Sequence, residues 1–158
     1  MEAVGTVKNL ETNLKTGSVG KSKYAFEVVV IEDNHLTNTI LCKALDSIIN
    51  TIYNLKQIAV KFTSYNNGGD FLAFLNSRDS FDSKLIVFSD YHLEENMNGV
   101  EILKRIKQKQ VDSTVVIMSD SPNTQIPIDA VNMGAYCFLP KNHKTPVICS
   151  EMLFRMVN

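Results

Sequence analysis

Three carboxylates stand where apolar runs end. Lys84-Leu85-Ile86-Val87-Phe88-Ser89 closes on Asp90, and Glu27-Val28-Val29-Val30-Ile31 closes on Glu32-Asp33. If these runs are neighbouring strands of a parallel sheet, their ends gather the three acids at one edge. Like charges so placed repel one another unless a proton or a cation is present. An all-oxygen acidic pocket suits Mg²⁺. Ser119 and Lys141 close two later apolar runs. A hydroxyl there can donate to a phosphoryl oxygen, and a lysine can neutralise another as a point charge. An aspartate beside Mg²⁺ is suited to accept a phosphoryl group, because metal and ammonium offset the charge of the incoming anion.

Alternating elements must position these groups. The β-branched run Phe26–Ile31 predicts a strand covered on both faces. A helix over Leu36–Asn54 follows, with Leu41, Leu45, Ile48, Ile49 and Ile52 on one stripe. Further strands are expected at Gln57–Thr63, Lys84–Ser89, Thr114–Ser119 and Ala135–Leu139. Helices are expected at Asp70–Asn76, Gly99–Gln108, Thr124–Met133 and Pro146–Met156, with Pro127 in the first turn of the helix that begins at Thr124. Five such units predict an α/β fold: a doubly wound, five-stranded parallel sheet with five helices and right-handed crossovers. Ligands of such sheets collect outside the carboxyl ends of the strands, near the point where strand order reverses. The carboxylates fall there.

The chain of 158 residues is 44% apolar and 21% charged, with a formal net charge of -1, which suits one ordinary domain. So even a balance supplies no electrostatic case for direct binding of nucleic acid or an anionic membrane. No apolar stretch approaches the roughly 18–20 residues of a membrane span, and the N-terminus lacks the apolar core of a secretory signal. A cytoplasmic protein is expected. Cys42, Cys137 and Cys149 are odd in number, form no Cys-x-x-Cys pair and lie in apolar contexts, so they read as buried free thiols.

Residues 1–24, rich in Thr, Asn, Gly, Ser and Lys, read as an arm or linker ahead of a domain over 25–158. Val4, Val7, Leu10 and Leu14 fall at helical spacing, as for a short helix docked on the domain or on a partner. Gly17-Ser18-Val19-Gly20-Lys21-Ser22 imitates a phosphate-binding loop. However, Lys15 stands where its first glycine belongs, and the segment precedes a strand instead of following one. A linker is the better account.

Taken in order, the segments Val28-Val29-Val30-Ile31-Glu32-Asp33-Asn34, Leu85 to Leu93, Met97-Asn98-Gly99-Val100-Glu101-Ile102-Leu103, Val115 to Ser119 and Gly134 to Lys141 make a pattern. From about Phe26 to its C-terminus the chain resembles the response-regulator receiver domains of two-component signalling. The resemblance implies a flavodoxin-like sheet in the order 2-1-3-4-5. It implies that Asp90 accepts a phosphoryl group from a histidine kinase or a histidine phosphotransfer protein. Asp33 would bind Mg²⁺ directly, Glu32 through water and His92 through its backbone carbonyl. Ser119 takes the place of the switch hydroxyl, Lys141 that of the phosphate-pairing lysine, and Phe138 that of the aromatic switch, preferring a buried rotamer. Gly99 permits the tight loop into helix three. The face of helix four, strand five and helix five would be read by a downstream effector or pair in a homodimer.

Three positions depart from the family. Asn142 stands where it usually has proline, the residue on which its cis peptide depends. Asp120 follows Ser119 where a small residue is usual, and its charge is expected to slow phosphorylation or favour its loss. The stretch from Asp90 to Gly99 is slightly long.

Other readings compete. Singly, Asp33, Asn34 and Ser119 suit helix caps, Lys141 a solvated loop and Asp90 a turn. Asp33-Asn34-His35 and Asp90-Tyr91-His92 are paired Asp-x-His groups, the beginning of a metal-dependent hydrolase site. A receiver fold that only binds partners, without phosphorylation, would suit Asp120 and Asn142. The last helix consumes the chain to Asn158, so a stand-alone regulator and a fragment of a larger regulator or hybrid kinase both stay open.

Overall fold

Side-chain alternation along buried strands decides which helices cover which face of the sheet. The computed structural model describes residues 23–94 and 96–158; the helix expected over Val4 to Leu14 and the loop Gly17 to Ser22 lie outside the described residues. The strands are β1 (Phe26–Ile31), β2 (Val60–Tyr65), β3 (Lys84–Asp90), β4 (Ser113–Ser119) and β5 (Cys137–Pro140). They form one parallel sheet in the order β2-β1-β3-β4-β5, the expected doubly wound α/β fold. Between them run α1 (His35–Lys56), α2 (Gly68–Asn76), α3 (Gly99–Gln108) and α4 (Gln125–Asn132), and α5 (Thr145–Met156) ends the fold.

On one face Val28, Val30, Ile86, Phe88, Val116 and Met118 meet Leu41, Leu45, Ile49 and Ile52 of α1 and Cys149 and Leu153 of α5. On the other, the intervening residues Val29, Ile31, Leu85, Val87, Val115 and Ile117 meet Phe71 and Leu75 of α2, Ile102, Leu103 and Ile106 of α3, and Ala130 of α4. Burying each such aliphatic side chain contributes about 1.5–3 kcal/mol relative to leaving it exposed. The sheet is thereby locked in register, because a slip of one residue would exchange the two faces.

Element boundaries differ from expectation where the chain turns. Gln57 does not open β2 but ends α1, in the left-handed region at φ 56°, with its N–H bonded to the Tyr53 carbonyl. The strand starts at Val60 instead and runs on through Ser64 and Tyr65, which pair with Val30 and Ile31. Ala135 likewise belongs to the end of α4: its N–H reaches back to Ala130, past Gly134 at φ 87°, and pairing with β4 begins only when Tyr136 donates to Val115. Ile48 is only partly buried, unlike its neighbours on the stripe. All three cysteines are free, Cys149 fully buried and the other two half-buried.

Candidate functional site

Register carries the acids and the lysine to one spot. Val30 pairs with Phe88, so Glu32 and Asp90, each two residues further, emerge beside each other at the point where strand order reverses. Met118 pairs with Leu139, which gives Lys141 the same orientation on the far side of β4. The Lys141 Nζ lies 2.8 Å from Glu32 Oε2 and 2.9 Å from Asp90 Oδ2. Glu32, Asp33 and Asp90 each offer a carboxylate oxygen, all within 4.8 Å of one another. Glu32 is fully buried, Asp90 nearly so and Asp33 half-buried.

This crowding strains the charges. Burial pushes the Glu32 carboxyl above the usual range and the charge of Asp90 adds to the push, which the Lys141 hydrogen bond only partly offsets. Burial likewise raises Asp90 against the opposing hydrogen bond from Lys141, with Asp33 contributing repulsion. For Lys141, burial disfavours the ammonium, but its bonds to Glu32 and Asp90 outweigh that and raise its pKa. One ammonium thus faces three carboxylates. The set is all oxygen and short of positive charge, which fits a hard divalent cation such as Mg²⁺.

Backbone contacts hold the acids in place. The Asp90 Oδ1 accepts from the His92 N–H at 3.2 Å. An antiparallel bridge between His92 and Asn98 folds the following loop on itself through the Tyr91 and Met97 carbonyls, so the His92 carbonyl stays outside that pair of bonds. Gly99, first residue of α3, is needed for close approach more than for a tight loop: a Cβ there would stand 2.6 Å from the Asp90 carbonyl oxygen. The Glu32 Oε1 accepts from the Asn34 N–H, while Asn34 caps α1 by accepting from Thr37. Of the local alternatives, capping therefore describes Asn34.

Ser119 and Phe138 lie on the opposite parity, since Ile117 pairs with Phe138. Ser119 is buried at the tip of β4, its Oγ accepting from the Ser121 N–H at 3.1 Å. Phe138 is half-buried against the core under α3 and α4. Asp120, next to Ser119, is exposed. The Lys141 N–H donates to the Ser119 carbonyl at 2.7 Å, tying the two strand ends together. Asn142 builds the turn into α5: its Oδ1 accepts from the Lys144 N–H, and its own N–H donates to Thr145 Oγ1. The described residues hold no cis peptide.

His35 and His92 are exposed, and the three gathered ligand atoms are all carboxylate oxygens. The His92 ring stacks edge-on against Tyr91. Of the paired Asp-x-His pattern the two aspartates converge, whereas neither histidine joins the gathered ligand atoms.

One polar residue beneath the acids was not picked out from the sequence. Asn38 is buried in α1, with its Nδ2 2.9 Å from the Glu32 carbonyl oxygen. The signal was present: position 38 continues the spacing of Leu41, Leu45, Ile49 and Ile52, so a polar side chain was due on a buried stripe.

Comparison with known proteins agrees with this architecture. Residues 28–152 match the model of the response regulator receiver domain. A two-component response regulator of Arabidopsis thaliana, ARR13, is 27% identical over 114 residues, 72% of this chain and 18% of its own length. The DNA-binding transcriptional regulator NtrC of Salmonella typhimurium is 32% identical over 79 residues, 50% of this chain and 16% of its own length. The chain thus spans less than a fifth of either relative. The signal receiver domain of a DNA-binding response regulator from Colwellia psychrerythraea shares the fold, with a TM-score of 0.64 at 20% identity over 84% of this chain and 98% of that one. Among the described residues, no helix is long and apolar enough to cross a membrane.

Proposed function

Because the chain belongs to the response regulator receiver domain family, we propose that it is a phosphoacceptor, taking a phosphoryl group onto Asp90 and switching a partner-binding surface. The observation that carries this reading is the convergence of Asp90 and Lys141 at 2.9 Å inside a group of three carboxylates. Asp33 and Asp90 would hold Mg²⁺, with Glu32 acting through water and the His92 carbonyl completing the set. When bound, the ion offsets negative charge on the phosphoryl oxygens.

The donor is a phosphohistidine of a histidine kinase or a phosphotransfer protein. An Asp90 carboxylate oxygen attacks phosphorus; the new O–P bond forms as the P–N bond breaks, and that electron pair returns to the donor nitrogen. Lys141 already touches Asp90, so it pairs with a phosphoryl oxygen without being carried in from elsewhere. The buried Ser119 hydroxyl donates to another oxygen, drawing the loop after β4 inward. Phe138 then fills the space behind that loop. Two surface states exchange population, and the face of α4, β5 and α5 is what an effector or a second copy reads. Attack by water on phosphorus later releases inorganic phosphate and restores the carboxylate. The charge of Asp120, exposed beside Ser119, slows the transfer or favours that loss. An arm over residues 1–24, a receiver domain over 25–158 and a cytoplasmic location belong to the same proposal.

The test is incubation with Mg²⁺ and acetyl phosphate, followed by intact-mass and peptide-mass measurement. An adduct on Asp90 that is labile to acid, alkali and hydroxylamine, requires Mg²⁺ and vanishes in Asp90→Asn is expected. No adduct, or one that persists in Asp90→Asn, ends the reading.

A further inference from the structure

A buried polar side chain on an otherwise apolar helix face needs partners, and those of Asn38 lead straight to the acids. Its Nδ2 donates to the Glu32 carbonyl at 2.9 Å and approaches the Tyr65 carbonyl at 3.4 Å. Its Oδ1 accepts from Ser64 Oγ and from Cys42 Sγ, each at 3.1 Å. The amide therefore bridges the residue just after β1, the last two residues of β2 and the second turn of α1. Glu32 also donates its own N–H to the Tyr65 carbonyl at 3.1 Å, so the backbone of Glu32 is held from both sides.

The held peptide matters because it joins Glu32 to Asp33. A hydrogen bond to the Glu32 carbonyl fixes the plane of that peptide, and the plane sets the direction in which Asp33 leaves the strand. Without the bond, the peptide is free to tilt, and the carboxylates of Glu32 and Asp33 lose their common focus with Asp90. We infer that Asn38 is a positioning residue for the acidic site, acting through the Glu32–Asp33 peptide to preset the carboxylates for a divalent cation. This rests on the phosphoacceptor reading above, since it presumes that the acids hold Mg²⁺. Outer partners that orient metal ligands typically change metal affinity by about 10–100-fold when removed.

The test measures Mg²⁺ binding directly, by calorimetric titration of the whole chain in the absence of any phosphodonor. Asn38→Leu keeps the branched shape and deletes the bonds. Asn38→Ser is the second variant, small enough to fold if leucine is not tolerated, and too short to span to the Glu32 carbonyl. Both should weaken Mg²⁺ binding by about tenfold or more. Ile49→Val, on the same buried stripe, supplies a variant that lowers the melting temperature alone and should bind Mg²⁺ like the parent. Wild-type affinity in a folded Asn38 variant, or an equal loss in Ile49→Val, overturns the positioning role and leaves the phosphoacceptor reading standing. If the parent protein itself binds no Mg²⁺, the broader reading fails and takes this inference with it.

Discussion

Gly99 is pressed against the Asp90 carbonyl: a Cβ on the glycine would lie 2.6 Å from that oxygen and 3.1 Å from Ile117 Cδ1. The first turn of α3 is thus packed on the backbone of the proposed phosphoacceptor. Backbone cannot yield as a flexible side chain does, so Gly99→Ala must move either the helix or Asp90. The expected cost is about 1–3 kcal/mol in urea denaturation, together with slower labelling by acetyl phosphate. Unchanged stability and labelling would show that the contact relaxes freely.

Neutralising a carboxylate should stabilise the metal-free fold. Glu32 and Asp90 both have raised pKa values, from burial first and mutual repulsion with neighbouring acids besides. A carboxyl group raised in the folded state favours folding below its ordinary pKa, and that advantage is lost as pH rises through the raised value. At neutral pH the pair therefore weighs against the fold. Asp90→Asn in a chelator should melt higher than the parent, by about 2–4 °C for relief on the order of 1 kcal/mol. Excess Mg²⁺ should narrow the gap by stabilising the parent through binding. A lower melting point for Asp90→Asn would contradict the electrostatic account.

Lys141→Met should act in the opposite direction. It leaves the fully buried Glu32 and the nearly buried Asp90 without their shared cation. Removing one member of such a buried set costs about 3 kcal/mol. Losing the ammonium lifts both carboxyl pKa values further, so protonation should relieve the defect in mildly acidic solution. Denaturation midpoints measured at neutral and mildly acidic pH should therefore converge with those of the parent as pH falls. A gap that widens on acidification would exclude this origin.

Thiol chemistry should divide the cysteines. Burial pushes the Cys149 thiol up to about 12, and it makes no contact with solvent. Cys42 and Cys137 are half-buried, and burial raises their thiol pKa values as well. A thiol-specific reagent at neutral pH should label Cys42 and Cys137 slowly and Cys149 only on unfolding. Rapid labelling of Cys149 in the native protein would mean that α5 opens far more readily than its packing implies.

Much of this was legible from the chain alone, and the reason is periodicity. Strands buried on both faces read as unbroken apolar runs, and the polar residues that end them, Glu32-Asp33, Asp90, Ser119 and Lys141, mark their tips. The bounds of β1 and α3 follow directly, whereas Gln57 and Ala135 misled. A left-handed cap at Gln57 and a closing bond from Ala135 depend on local hydrogen bonding that composition does not display.

What the residue pattern determined was the alternating α/β order and the identity of the groups at the strand ends, because spacing and side-chain type are properties of the line of residues. Only the tertiary structure decided the partnerships. Strand register brought Glu32 beside Asp90 and gave both to one lysine far along the chain. Packing likewise turned Gly99 onto a carbonyl and made Asn38 a support beneath the acids. Such pairings join residues that are distant in sequence, and their distances exist only once the sheet has closed and the core has fixed its register.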